Sequence, residues 1–294
     1  MRCSNPHTTP TGQAFGCGQC LPCRMNKRRT WMHRILLESY QHEHNAFVTL
    51  TYADDENRHS LNPKHTQDWL HRLRKRIEPS RVRYFLVGEY GDESQHAHYH
   101  AILFGFATCI YGQSQFNRRG SCCSQCDLVR DSWSLGNVFL GTVESDSAQY
   151  VAGYTVKKMT SKNDPRLDNR HPEFARMSLK PGIGYDALHE VASQLMKFNL
   201  ETSQVDVPST LRHGKKELPL GRYLQKNLRK LCGLPETTPS AVTQKVSEEL
   251  LPLRQAAKDD PDNPSLKHQI KKANQQKLLQ TETRNKIYKG KKSL

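Results

Sequence analysis

The residues most able to do chemistry are His98, His100 and Glu89. In an extended strand, residues two apart share a face, so His98-Tyr99-His100 sends both imidazoles to one side and the tyrosine to the other. Glu89 ends the preceding apolar run, where a hairpin would bring its carboxylate beside them. Two imidazoles and one carboxylate give three ligands for Mg²⁺ or Mn²⁺, with positions left open for substrate; the imidazoles tilt the choice toward Mn²⁺ or zinc. His96 lies on the His98 face, either an accessory ligand or a chance neighbour. Such an ion would polarise a backbone phosphate. Tyr150 and Tyr154 are four apart, hence neighbours on one helix face, and either phenol oxygen could attack in line. A phenol ionises with an ordinary pKa of ~10, so a nearby cation assists; Lys157 is the first choice and Lys158 the second. Each piece alone has a plainer reading: a solvated glutamate, a surface histidine pair, packing tyrosines. Their joint occurrence shifts the balance.

The elements that must hold these residues can be read from periodicity. Arg83 to Phe106 reads as two strands around the Gly91-Asp92-Glu93-Ser94 turn signals. Phe47 to Tyr52 alternates as another strand, with Val48, Leu50 and Tyr52 on one face, and Val138 to Val143 as a further one. Arg24 to Glu38 reads as a basic helix with Trp31, Ile35 and Leu36 on its apolar side. Pro63 opens a second helix carrying Trp69, Leu70, Leu73 and Ile77. Ser145 or Asp146 caps a helix running to Met159. Asp186 to Phe198 and Leu218 to Cys232 read as later helices. This order predicts an α+β fold: a central antiparallel sheet with flanking helices and a helical C-terminal extension.

Four segments follow. Residues 1–24 are Cys-rich; 25–182 form the core, with 107–135 read as a loop-like insertion; 183–234 are a helical extension; 235–294 are a basic, partly disordered tail. Cys17, Cys20 and Cys23 at C-x-x-C-x-x-C spacing, with Cys3 upstream, could hold structural Zn²⁺, or be ordinary reduced thiols. Cys122, Cys123 and Cys126, with Cys109 upstream, could form their own site or complete the first. Nine cysteines in a chain with no signal-peptide layout and no bilayer-length apolar run point to an intracellular protein and no membrane partner. A net charge of +15, from 44 Lys+Arg against 29 Asp+Glu, points to a polyanionic partner, with nucleic acid first.

The sequence resembles a known group in three places. Phe47-Val48-Thr49-Leu50-Thr51-Tyr52, then Gly88-Glu89-Tyr90-Gly91 with His98-Tyr99-His100, then Tyr150 to Lys158, resemble the three motifs of HUH rolling-circle replication initiators. The resemblance is narrower to replication-associated proteins of gokushovirus-type Microviridae, whose Cys-rich start is similar to Cys17 to Arg24. It implies a palm-like antiparallel sheet that nicks the viral strand at the origin, keeps the 5′ phosphate on tyrosine and leaves a 3′ hydroxyl. It also implies a second transfer by the other tyrosine, closing a unit-length circle. His98, His100 and Glu89 would be metal ligands, Tyr150 and Tyr154 the nucleophiles, and Lys157 their assistant. The partners implied are the viral DNA origin and a host helicase and DNA polymerase, in the host bacterial cytoplasm. Gly153 departs from the pattern, since related phages often place a lysine just before the second tyrosine.

Two alternatives make different predictions. A plasmid initiator or transposase of the same superfamily would keep the chemistry. A non-catalytic nucleic-acid-binding protein, with an RNA-recognition-like sheet and a zinc knuckle, would bind without cleaving and be indifferent to Tyr150 and Tyr154.

Overall fold

A computed structural model describes residues 3–53, 60–91, 95–115, 122–143, 151–153, 163–200 and 205–290. The chain divides into two units. One comprises residues 28–191 and 210–220, the other residues 1–27, 192–209 and 221–294.

The first unit is built on a five-stranded antiparallel sheet. Its strands are β3 (Asn45–Thr51), β4 (Arg83–Tyr90), β5 (Ala97–Phe104), β6 (Val138–Thr142) and β7 (Phe174–Met177), in the order β6-β3-β5-β4-β7. The strand that bears both histidines is therefore the central one. Its register places Thr49 opposite His100 on β3, and Glu89 opposite His98 on β4. Both faces of the sheet are covered, so β5 is buried along nearly its whole length.

The period of two sorts the side chains between two cores. On one face Val48, Leu50, Leu86, Tyr99, Leu103 and Leu140 pack with α2 (Pro63–Arg76) and α3 (Ser124–Trp133) through Trp69, Leu73, Val129 and Trp133. On the other face Phe85, Val87, Ile102 and Phe104 pack with Met32 and Ile35 of α1 (Leu21–Ser39), and with Val151, Ala152 and Ile183. Asn62 caps α2 by accepting the Lys64 N–H at 2.9 Å, with Pro63 in the first turn where no N–H is needed. Gly88 admits the Phe174 ring of β7: a Cβ there would lie 2.7 Å from it.

Buried polar groups fasten α1 to the sheet. Glu38, fully buried, accepts from the Arg83 guanidinium on β4 and from the Gly184 N–H at 2.7 Å. Arg83 also donates to the Pro181 carbonyl at 2.8 Å. Farther along α1, His33 meets the hairpin of β8 (Thr210–His213) and β9 (Lys216–Pro219). The Pro219 carbonyl can only accept, so His33 Nδ1 carries the proton (2.9 Å) and Nε2 accepts from His213 Nε2–H (2.8 Å). Burial outweighs the Pro219 carbonyl and pulls the His33 pKa down to about 4, with His213 adding to the shift. An unfolded histidine titrates near ~6.5, so between about pH 6.5 and 4 the unfolded chain binds more protons than the folded one. Stability contributed by neutral His33 is thus complete above pH 6.5 and is lost as pH falls through this window, on the order of 2 kcal/mol in all. Urea midpoints at pH 7.5 and 4.5 should converge in His33→Gln, relative to the wild-type difference.

The second unit holds the short pair β1 (His7–Thr8) and β2 (Ala14–Phe15), and the helices α5 (Gly221–Leu231), α6 (Ser240–Glu249), α7 (Leu251–Lys258) and α8 (Leu266–Gly290). The helix α4 (Ala187–Lys197) runs from the first unit into the second. Within this unit the Arg229 guanidinium makes a two-pronged contact with Asp206, at 2.7 Å on both oxygens.

Four expectations need correction. The segment 107–135 is not all loop: it contains α3, whose apolar face is Cys126, Val129 and Trp133. Residues 160–180, expected to loop, supply the edge strand β7. The helix expected from Leu218 begins at Gly221, because Leu218 belongs to β9. The extension 183–234 accordingly contains a hairpin as well as helices.

Candidate active site

Glu89, His98 and His100 occupy the sheet face that also carries Phe85, Val87 and Ile102. Glu89 and His100 are buried and in contact, with His100 Nε2 donating to Glu89 Oε1 at 3.0 Å. On its other side His100 Nδ1 lies 3.0 Å from the Thr49 hydroxyl, which can donate or accept. Thr49 therefore tolerates either neutral tautomer of His100, including the one that frees Nε2 to ligate. Phe47 stacks on the His100 ring at 5.9 Å and 11°. His98 donates from Nδ1 to the His96 carbonyl at 2.7 Å, which leaves the lone pair on Nε2. Burial lowers the His98 pKa, against the raising effect of that carbonyl, and so favours the neutral, ligating form.

The His98 and His100 rings are parallel, within 1°, with centroids 6.5 Å apart. Among the described residues, the groups whose ligand atoms all lie within 4.8 Å of one another are two sets of four cysteines; the histidine–glutamate set is wider than that. Its donor chemistry nonetheless suits a divalent ion: two neutral imidazoles and a carboxylate on one face, with one imidazole braced by a hydroxyl and the other by a carbonyl. His96 is exposed and contributes its backbone carbonyl.

Tyr150, Tyr154, Lys157 and Lys158 lie outside the described residues. The helical residues 151–153 between the tyrosines are described, and Val151 and Ala152 are fully buried against the face that carries the histidines. The Arg28 guanidinium of α1 lies beside Gly153, its Nε 3.7 Å from where a Cβ would stand. Next to Phe47 a groove of about 470 Å³ is lined by Phe139, Tyr111 and Gln113.

Sequence reasoning missed Thr49 and Phe47 as neighbours of His100. Only the β3–β5 register brings Thr49 there. Phe47 carried a usable signal, since it shares the Thr49 side of an alternating strand.

In the second unit the structure gathers Cys3, Cys17, Cys20 and Cys23, with ligand atoms all within 4.8 Å of one another. Cys20 and Cys3 sulfurs are 3.7 Å apart. The Cys17 N–H donates to Cys3 Sγ, and the Cys20 N–H to Cys17 Sγ, both at 3.3 Å. Burial raises the Cys20 thiol, but the Ser4 and Cys23 backbone contacts outweigh it and bring the pKa to about 6. This set could hold zinc. No helix among the described residues is long and apolar enough to cross a membrane.

Residues 45–159 match the model of a family of replication-associated proteins that is described by the phage protein ORF2. That segment contains β3, the α2 helix, the histidine hairpin, α3, β6 and both tyrosines. The chain is 34% identical over 180 residues to the replication-associated protein VP4 of Bdellovibrio phage phiMH2K, covering 58% of this chain and 56% of the relative. It is 30% identical over 179 residues to the replication-associated protein ORF2 of Spiroplasma virus 4, with the same coverage. A third relative is the replication-associated protein ORF4 of Chlamydia phage 1, 24% identical over 223 residues, or 73% of this chain and 53% of the relative. The chain thus spans about half the length of the curated relatives it matches. No solved structure gave a significant match. The likeness first carried by the strand, histidine and tyrosine motifs is therefore a likeness to the replication-associated proteins of small phages, centred on the segment that builds the histidine site.

Proposed function

We propose that this protein is a site-specific DNA nicking and joining enzyme that initiates rolling-circle replication of a circular single-stranded DNA phage genome. The observation that supports this most is a shared face: Glu89, His98 and His100 lie on the side of the central strands that also buries Val151 and Ala152, the residues next to Tyr150.

A divalent ion, Mg²⁺ or Mn²⁺, held by His98, His100 and Glu89 would withdraw charge from a phosphate oxygen. The protein's own residues do the rest. A tyrosine hydroxyl, Tyr150 or Tyr154, gives up its proton with Lys157 or Lys158 stabilising the phenolate. Its oxygen attacks the phosphorus, the P–O3′ bond breaks, and the 3′ oxygen leaves as a hydroxyl after taking up a proton. The 5′ phosphate stays on tyrosine, so the bond energy is kept for rejoining. The second tyrosine then cuts at the regenerated origin, and the free 3′ hydroxyl attacks the first phosphotyrosine to close the circle. Phe47, Phe139 and Tyr111 would stack the flanking bases in their groove. The Arg28 guanidinium beside Gly153 supplies a cation where related sequences often carry a lysine.

The substrate is the viral origin, single-stranded or supercoiled duplex, with a host helicase and DNA polymerase extending the 3′ end in the bacterial cytoplasm. Zn²⁺ on Cys3, Cys17, Cys20 and Cys23 would staple the N-terminal segment.

The test is adduct formation. Single-stranded oligonucleotides tiled across the genome are incubated with the protein and Mn²⁺ or EDTA, then run on a denaturing protein gel. A Mn²⁺-dependent covalent band, absent in Tyr150→Phe/Tyr154→Phe, is expected. Binding without an adduct across the whole set would overturn the proposal in favour of a non-catalytic nucleic-acid-binding protein.

A further inference from the structure

We infer that Cys109, Cys122, Cys123 and Cys126 form a tetrathiolate zinc site of their own in the sheet unit, separate from the N-terminal cysteines and from the histidine site. The four sulfurs all lie within 4.8 Å of one another. Cys109 and Cys122 sulfurs are 3.6 Å apart, and Cys109 and Cys123 sulfurs 3.8 Å. A zinc ion with Zn–S bonds of about 2.3 Å at the centre of a tetrahedron separates its sulfurs by about 3.8 Å. A disulfide would need about 2.05 Å, and all four cysteines are free.

Buried cysteines often serve simply as small apolar side chains. Four sulfurs converging on one point are poorly explained that way. Packing alone favours hydrocarbon partners and has no reason to gather four thiols at tetrahedral spacing. Cys109, Cys123 and Cys126 are nearly sealed from solvent, as structural zinc ligands are. Polar groups also reach the sulfurs: the Gln115 N–H donates to Cys122 Sγ at 3.2 Å, and the Ser114 hydroxyl lies 3.2 Å from Cys126 Sγ. Such N–H and O–H contacts offset charge on metal-bound thiolates.

The ligands come from two places. Cys109 follows β5, while Cys122, Cys123 and Cys126 surround the start of α3. Ser114 ties the same point to β6, accepting the Leu140 N–H at 2.8 Å. An ion here would therefore pin α3 to the sheet. The far end of α3 carries Trp133, which donates to the Thr51 carbonyl at 2.9 Å and packs edge-on against Tyr99, the residue between the two histidines. The site is thus a clamp behind the histidine strand, on the opposite face from its chemistry.

The decisive material is the full chain with Cys20→Ser/Cys23→Ser, in which the N-terminal set is disabled. Purified under reducing conditions and dialysed against zinc-free buffer, it should retain one equivalent of zinc by elemental mass spectrometry. Titrated with Co²⁺ after zinc removal, it should give the charge-transfer bands of a tetrahedral cobalt thiolate, saturating at one equivalent. Adding Cys122→Ser/Cys126→Ser should abolish both signals. A folded Cys20→Ser/Cys23→Ser chain with no zinc and no cobalt–thiolate absorption would overturn the inference. So would an intact mass two hydrogens light, which marks a disulfide instead. If the quadruple variant fails to fold, the stoichiometry and spectrum of the double variant still decide.

Discussion

His98→Ala/His100→Ala is expected to lower metal-dependent strand cleavage by about 10³-fold or more, with DNA affinity within about threefold of wild type. The cleavage loss follows from removing two of three ligands, since a bound ion contributes several kcal/mol to phosphoryl transfer and ~1.4 kcal/mol is tenfold in rate. The preserved affinity follows from charge. Burial holds His98 toward its neutral form, so its removal leaves the cationic surface, and the salt dependence of binding, intact. A gel for cleavage and a fluorescence anisotropy titration for binding separate the two effects. Thr49→Val is the graded companion. It keeps both imidazoles but removes the hydroxyl at 3.0 Å from His100 Nδ1, and should weaken apparent Mn²⁺ affinity by ~10–100-fold, largely recovered at high Mn²⁺. Full cleavage by the double alanine variant would remove the histidines from the chemistry.

The second large effect concerns stability. Glu38→Ala should cost about 3–5 kcal/mol, because it strands the Arg83 guanidinium and the Gly184 N–H, both of which now donate to a carboxylate with no solvent exposure. The urea midpoint should fall with little change in m. Glu38→Gln keeps an acceptor for Gly184 while losing the charge opposite Arg83, and should fall between. A midpoint for Glu38→Ala within experimental error of wild type would mean that the buried pair contributes nothing net.

What could be read from the sequence was what a single strand or helix encodes locally. The pleat alone put His98 and His100 on one face and Tyr99 on the other, and Pro63 with Asn62 marked the start of α2. The partners of His100 were harder. Glu89 lay within one hairpin and could be guessed, whereas Thr49 meets His100 only through pairing across 51 residues of sequence, which no local pattern specifies. The helix α3 was hidden because two of its cues, Cys123 before the helix and Cys126 on its buried face, were read as ligands and not as packing residues; Cys126, Val129 and Trp133 keep helical spacing once that is allowed. β7 was missed for another reason. It is a four-residue edge strand, flanked by polar sequence and half-exposed, and it exists because β4 offers an unpaired edge.

The position of β5 at the centre of the sheet has a consequence for how the molecule can fail. His100 draws Thr49 from one neighbouring strand and Glu89 from the other. A slip of either neighbour by one residue would turn its contribution to the opposite face altogether. Misaligned chains would then not be weakened enzymes but blanks, with an aliphatic side chain or a glycine facing the imidazole. The fraction of a preparation able to capture Mn²⁺ would count correctly threaded sheets, much as a key that turns reports every pin in its slot.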